Sequence, residues 1–204
     1  MLKRKGENMI LQSALKRRSR YQLTDKSPLS NAKIVALVQE AVKQAPSAFN
    51  SQSTRVLVLF GKKHTQFWKL VKEELKKIVP ASSFAPTEAK INSFAAAYGT
   101  LLFFEDWQTV EALQHKFPAY QENFPLWAYQ ANAMAEYLIW TSLAEHGLGA
   151  SLQHYNPLVD RAVAETFAVP SSWKLIAQMP FGVCVGDDGA KEFMPIEERV
   201  KVME

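Results

Sequence analysis

A cluster of cationic residues near the start of the chain is the first group that could do chemistry. Lys16, Arg17, Arg18 and Arg20 lie within five positions, with Ser19 among them. Guanidinium groups beside a hydroxyl suit a phosphate, because they donate charge-assisted and often bidentate hydrogen bonds. The same residues would also suit a nucleic-acid backbone, or a solvated helix end where cations favour the negative end of the helix dipole. The cluster alone leaves these three interpretations open.

The remaining chemistry-bearing residue types form no recognised catalytic or metal-binding motif. The four histidines share no ligand-like spacing, and the single cysteine, Cys184, has no partner cysteine for a zinc site or an internal disulfide. Because Cys184 lies in an apolar, strand-like pattern, we expect a small buried side chain there. The chain also lacks GxSxG, Walker and GxGxxG patterns. It therefore gives no support for a serine hydrolase, a P-loop enzyme or a dinucleotide-binding fold.

The composition of the 204 residues is typical of one globular domain, since 48% are apolar and 22% are charged. The formal net charge of +4 is too small to indicate nucleic-acid binding by itself. No apolar stretch approaches the roughly 18 residues needed to span a bilayer, and the start of the chain does not match a secretory signal peptide. We therefore expect a cytoplasmic protein with neither membrane nor nucleic-acid partners.

Hydrophobic periodicity predicts a single α+β domain with helices on both faces of a small sheet. Residues 1–12 are expected to form a flexible tail and residues 13–204 the domain, with a short first helix ending near the cationic cluster. The predicted helices cover residues 27–46, 64–79, 87–99 and 157–169, and the predicted strands cover residues 55–60, 99–106, 150–155 and 175–186. Residues 125–146 are apolar nearly all round, so this helix must be central or buried in an interface.

Four separated segments occur in a fixed order: LKRRSRY (15–21), APSAFNSQSTRVLVLFG (45–61), YGTLLFFED (98–106) and GLGASLQHYNP (147–157). Together with the long apolar helix, they resemble the nitroreductase family of flavin enzymes. Within that family the chain is most similar to the short stress-response branch of yeast and lactic acid bacteria, related to the fatty-acid-repression-mutant type. The resemblance covers about residues 13–202. It implies a three-layer α/β/α sandwich around a small, mostly antiparallel sheet, with FMN bound at the interface of a homodimer.

The resemblance implies a role for the cationic cluster at the flavin phosphate and polar edge. Arg17, Arg18 and Ser19 would contact the cofactor, with phosphate binding favoured for Arg17 and Ser19 and with Arg20 facing solvent. Family members often end with a Lys-x-Arg-x-Pro pattern whose two cations bind the phosphate. Here Lys191 is retained as a phosphate ligand, but Phe193 replaces the arginine. Whether Arg199 supplies the second cation is left open.

The PSAFNSQ segment resembles the family's loop that reaches the flavin of the partner subunit. The resemblance implies packing near the flavin ring by Pro46, Ser47, Ala48 and Phe49, and amide hydrogen bonds from Asn50 and Gln52. The same residue types also form an ordinary turn between a helix and a strand without any cofactor. Both interpretations can hold together.

Further positions are implied to lie near the flavin ring. Lys90 would stabilise the reduced ring at its pyrimidine edge, and the alternative is an ordinary exposed helix lysine. Gln153, His154 and Tyr155 would lie at the reactive edge, where His154 could equally be a structural histidine. Phe49 and Tyr155 would form apolar walls of a pocket for flat substrates.

The activity implied by the resemblance is that of an FMN-dependent oxidoreductase. It would pass electrons from NADH or NADPH to nitroaromatic, quinone or similar acceptors by a ping-pong mechanism. Flavin N5 would carry the chemistry, so no catalytic side chain and no metal are expected. One alternative is a flavin-binding sensor without turnover, to which the departure at Phe193 gives weight. The other is a basic nucleic-acid-binding protein, but no interleaved exposed aromatic residues or reading helix support it.

Overall fold

A computed structural model describes residues 9–186 and 189–204 of the chain. At its centre is a four-stranded sheet in the order β1-β2-β4-β3, and each neighbouring pair of strands is antiparallel. The strands are β1 (Thr54–Phe60), β2 (Gly99–Asp106), β3 (Gly149–Ala150) and β4 (Trp173–Gly182). The α-helices of the described ranges are α1 (Met9–Lys16), α2 (Asn31–Gln44), α3 (Gly61–Lys76), α4 (Ala85–Ala95), α5 (Trp107–Lys116), α6 (Phe124–Glu145) and α7 (Asp160–Phe167).

Two apolar clusters cover the two faces of the sheet. Alternate residues of a strand point to opposite faces, so Leu102 and Phe104 of β2 pack with residues of α3, α4 and α7. Leu101 and Phe103 point the other way and pack with residues of α2 and α6. This arrangement explains why β2 is buried along nearly all of its length. The predicted α+β class, with helices on both faces of a small antiparallel sheet, is confirmed.

Helix α6 is the central helix of one layer. Ile139 and Leu143 lie against the sheet in the core, and Pro125 occupies the first turn, where a missing backbone N–H does no harm. The opposite side of the helix exposes Leu126, Met134 and Tyr137. The helix is therefore both central and apolar at its outer surface, as its sequence indicates.

Some sequence expectations need correction. The strand predicted over 150–155 is reduced to β3 and a single bridge between Gln153 and Gln178. The pairing stops there because the Tyr155 N–H donates to the side-chain carbonyl of Gln178 instead of to a backbone carbonyl of a neighbouring strand. Ile78, predicted to lie on the buried face of α3, is 62% exposed because the helix ends at Lys76.

The elements near the two ends of the described residues also differ from the sequence expectations. Helix α1 begins at Met9, within the range expected to be a tail, while residues 1–8 lie outside the described residues. The domain boundary at residue 13 stays a prediction. β4 ends at Gly182, and the backbone beyond it pairs with the N-terminal segment through the bridge between Leu23 and Cys184. None of the described helices is long and apolar enough to cross a membrane.

Candidate functional site

The segment that follows α1 is fixed on both sides of Arg17. Before it, the Lys16 ammonium donates to the Glu145 carboxylate at the end of α6, at 2.6 Å. After it, Ser19 forms a parallel bridge with Ala150 of β3, and the Arg20 N–H donates to the Ala150 carbonyl at 2.8 Å. The backbone of the cationic cluster is thus attached to α6 and to the edge of the sheet.

Arg17 forms no ion pair with any residue in the described part of the chain. Its guanidinium carbon lies 4.4 Å from the ring centroid of Trp140. Its Nε atom is buried, and no described residue supplies that atom with a hydrogen-bond acceptor. A buried donor of a charged group is costly to leave unpaired, so an acceptor is expected. This orphaned donor, next to the exposed Ser19, fits the phosphate group of FMN.

The neighbouring arginines lie in a different environment. Arg18 and Arg20 line a hollow of about 210 Å³, together with Lys16 and Cys184. Arg20 is half-buried instead of facing solvent, with its Nη1 atom 4.0 Å from Cys184 Sγ. Cys184 is likewise half-buried, because it lies beyond the end of β4 and not inside the strand. Arg18 is therefore placed with Arg20, and its contact with the flavin stays a prediction.

The residues expected at the reactive edge of the flavin continue from the same sheet edge. Gln153 is buried and exchanges backbone hydrogen bonds with Gln178, and its side-chain amide donates to Ser151 at 3.1 Å. Gln153 lies three positions after Ala150, the bridge partner of Ser19, and three steps of extended chain span about 10 Å. His154, the next residue, is exposed. The fold therefore brings the N-terminal cluster and the 153–155 segment into one region.

The PSAFNSQ loop has a constrained backbone. Phe49, Asn50 and Gln52 have φ values of 55°, 51° and 49°, in the left-handed region that non-glycine residues seldom adopt. The loop is held by the Ser47 hydroxyl, which accepts the Gln52 N–H at 3.0 Å. The Arg55 guanidinium donates to the Gln52 carbonyl at 2.6 Å and to the Asp106 carboxylate at 2.9 Å. Such strain concentrates at functional sites, where surrounding contacts maintain it.

Phe49 lies in an aromatic cluster that the sequence analysis missed. Its ring centroid is 4.7 Å from that of Phe117, 5.3 Å from Phe124, 5.7 Å from Tyr120 and 5.9 Å from Trp127. Phe49 itself remains 48% exposed, so the cluster presents a ring face to its surroundings. The signal in the sequence is the aromatic-rich stretch FPAYQENFPLW (117–127).

Phe49 and Tyr155 lie in two different clusters of the described residues. Tyr155 packs edge-on against Trp68, at 5.9 Å, and belongs to the core cluster that α3 and α4 share. The rings around Phe49 come from the turn after α5, which supplies Phe117 and Tyr120, and from α6, which supplies Phe124 and Trp127. The common substrate pocket of Phe49 and Tyr155 therefore stays a prediction.

The two predicted lysine ligands, Lys90 and Lys191, lie beside aromatic rings of their own segments. Lys90 is exposed on α4, with its ammonium 5.9 Å from the Phe94 ring centroid. Lys191 is exposed in the C-terminal segment, with its ammonium 4.9 Å from the ring centroid of Phe193, the residue that replaces the family arginine. Their contacts with a flavin stay predictions.

A pair of buried carboxyl groups lies behind the loop, and the sequence analysis did not identify it. Glu105 is fully buried, and its Oε1 atom accepts from the Thr54 hydroxyl at 2.6 Å and from the Asn132 amide at 2.9 Å. Glu136 of α6 is 7% exposed. Its burial, together with the nearby Glu105 charge, raises the pKa of Glu136 to about 7.

The fold and the arrangement of these residues agree with a single family. The chain belongs to the nitroreductase family, whose model matches residues 14–183. Membership of this family supports the assignment of the chain as an oxidoreductase. Members of the family typically bind a flavin and are commonly dimeric. The resemblance on which the sequence analysis relied is therefore confirmed.

Relatives in yeast and in a lactic acid bacterium match the branch expected from sequence. The nitroreductase FRM2 of Saccharomyces cerevisiae is 34% identical over 178 residues, which cover 85% of this chain and 86% of that protein. HBN1 of the same yeast is 33% identical over 186 residues, covering 90% and 92%. Nitroreductase CinD from Lactococcus lactis, solved with nicotinic acid, is 41% identical with a TM-score of 0.88, and the match covers 96% of this chain and 100% of CinD. CinD was also solved with chloramphenicol and with 4-nitrophenol.

Proposed function

We propose that this protein is a cytoplasmic, FMN-dependent oxidoreductase that takes electrons from NADH or NADPH and passes them to nitroaromatic, quinone or similar acceptors by a ping-pong mechanism. The observation that carries the proposal is the half-buried guanidinium of Arg17, which no described carboxylate pairs with. It lies beside Ser19, on the sheet edge that continues to Gln153. A flavin with its phosphate at Arg17 and its ring near residues 153–155 accounts for the Arg17 guanidinium and for its place on the sheet edge that continues to Gln153.

The protein's part in this activity is binding and orientation. Arg17 and Ser19 donate hydrogen bonds to the phosphate, and the segment from Gln153 to Tyr155 borders the ring. When bound, FMN supplies the redox chemistry, accepting a hydride from the nicotinamide and returning electrons to the acceptor. No side chain of this site therefore needs to act as an acid–base catalyst.

We propose a homodimer, because apolar side chains are exposed on three elements. They are Met9, Leu11 and Leu15 on α1, Leu126, Met134 and Tyr137 on α6, and Phe193, Ile196, Val200 and Val202 in the C-terminal segment. Exposed apolar area of this extent marks an association surface. A second copy would cover it, and could bring the Phe49 cluster of one subunit to the flavin of the other, which a single chain does not do.

The proposed acceptors are flat aromatic compounds. The relative CinD was solved with 4-nitrophenol and with chloramphenicol. The half-exposed rings of Phe49 and Tyr120 offer faces on which such molecules stack. Nitro compounds and quinones combine a flat ring with electron-accepting groups, which suits a site built from aromatic walls and a reducing cofactor.

The phosphate assignment is tested by the double variant Arg17→Ala, Ser19→Ala. Equilibrium dialysis of the apoprotein with FMN should show at least tenfold weaker binding, because charge-assisted hydrogen bonds are each worth about 1.5–3 kcal/mol. Glu74→Gln, on the far-side helix α3, is the matched control and should bind FMN as the wild type does. An unchanged FMN affinity in the double variant would remove the assignment.

A further inference from the structure

Arg17 is held through the face of an indole and not through a carboxylate. Its guanidinium carbon lies 4.4 Å from the ring centroid of Trp140 on α6, and both residues are half-buried. No described residue forms an ion pair or hydrogen bond with the Arg17 side chain, and its Nε atom is buried without an acceptor. The stacking contact is therefore what fixes the orientation of this side chain.

We infer that Trp140 is a positioning residue that holds the Arg17 guanidinium ready for the phosphate of the flavin. The inference rests on the proposed function, in which Arg17 binds that phosphate. In this inference Trp140 acts on the phosphate through its contact with Arg17.

Stacking and ion pairing engage different parts of the arginine guanidinium. A carboxylate takes up the in-plane N–H donors of the guanidinium, and those are the donors that a phosphate needs. An aromatic face contacts the plane of the guanidinium and leaves its edge donors unused. Trp140 can thus orient a long, flexible side chain without competing with the ligand, which lowers the entropy lost on binding.

The segments before and after Arg17 are held by contacts with α6 and β3, so the orientation of the Arg17 side chain is the feature that Trp140 can influence. Lys16 is attached to Glu145, about one and a half helical turns beyond Trp140 on α6. Ser19 is attached to Ala150 of β3. The main chain after Arg17 is therefore fixed at the sheet edge, and α1 before it packs against α6, so Trp140 acts on the orientation of the guanidinium.

The experiment compares FMN with riboflavin, which has the same ring but no phosphate. In Trp140→Leu, FMN affinity measured by equilibrium dialysis should fall about 5- to 30-fold, which corresponds to the loss of a desolvated cation–π contact. Riboflavin affinity should stay within twofold of the wild type, and this also shows that the variant is folded. Trp140→Phe retains an aromatic face and should recover most of the FMN affinity.

Two further variants separate this inference from its alternatives. Glu74→Gln, on helix α3, is the matched control and should leave the ratio of FMN to riboflavin affinity unchanged. Arg17→Met should lower that ratio by itself. If Arg17→Met lowers the ratio while Trp140→Leu does not, the positioning role is overturned and the phosphate site stands. If Arg17→Met leaves the ratio unchanged, the phosphate site and the role of Trp140 both fall. Equal losses of FMN and riboflavin affinity in Trp140→Leu would show a purely structural role and would also overturn the inference.

Discussion

At the scale of single residues, Glu136 is a carboxyl group that the fold has removed from water. It is 7% exposed on α6, and the charged group that acts on it is Glu105 of β2. Burial first, and the Glu105 charge second, raise the pKa of Glu136 from 4.5 to about 7.

This burial predicts a dependence of stability on pH. Because the pKa of Glu136 is higher in the folded state, its contribution to stability is fully present below pH 4.5 and is lost as the pH rises through about 7. The loss amounts to about 3 kcal/mol. Glu136→Gln cannot ionise, so its free energy of unfolding should fall less than that of the wild type between pH 5 and pH 8. Urea unfolding at the two pH values measures the difference, and equal changes in both proteins would contradict the burial of a protonated group.

At the scale of elements, the PSAFNSQ loop depends on Arg55, the second residue of β1. Its guanidinium joins the Gln52 carbonyl, at the end of the loop, to Asp106 at the end of β2. A planar fork can reach both acceptors at once, whereas a lysine ammonium is a single point of charge. The left-handed backbone of the loop is thus maintained by a contact to the rigid sheet.

Arg55→Lys should loosen the loop while the sheet stays intact. The Gln52 amide, which donates to Ser47, should exchange with solvent about tenfold faster, since a hydrogen bond from a charged donor is worth about 1.5–3 kcal/mol. The amide of Leu102, in the centre of β2, is the internal control and should exchange as in the wild type. If the Gln52 amide is unaffected, Arg55 does not hold the loop.

The elements themselves differ in how far sequence could predict them. β2 and α2 were predictable, because their apolar residues repeat along a continuous stretch. The aromatic cluster at Phe49 and the pairing of Glu105 with Glu136 were not, because each joins residues of separate elements that only the folded topology brings together. Arg17 was identified through family resemblance, and its contact with Trp140 needed the structure.

At the scale of the whole molecule, the outer face of α1 predicts self-association. Leu11 and Leu15 are 60% and 69% exposed on a helix that packs against α6. Replacing both by glutamate should place two charges in the proposed interface, which costs several kcal/mol and shifts the protein from dimer to monomer. Sedimentation velocity measures the change. The control Ile78→Glu, at an exposed position beyond α3, should remain dimeric. A wild type that sediments as a monomer would contradict the homodimer.

The visible spectrum of the FMN-reconstituted protein, recorded under anaerobic conditions, is the first test of the proposed oxidoreductase activity. The flavin absorption should bleach on addition of NADH or NADPH and return on addition of 4-nitrophenol or a quinone. Absorption that persists with both nicotinamides would contradict the oxidoreductase and favour a flavin-binding sensor. A protein that takes up no FMN at all would contradict the flavin site itself.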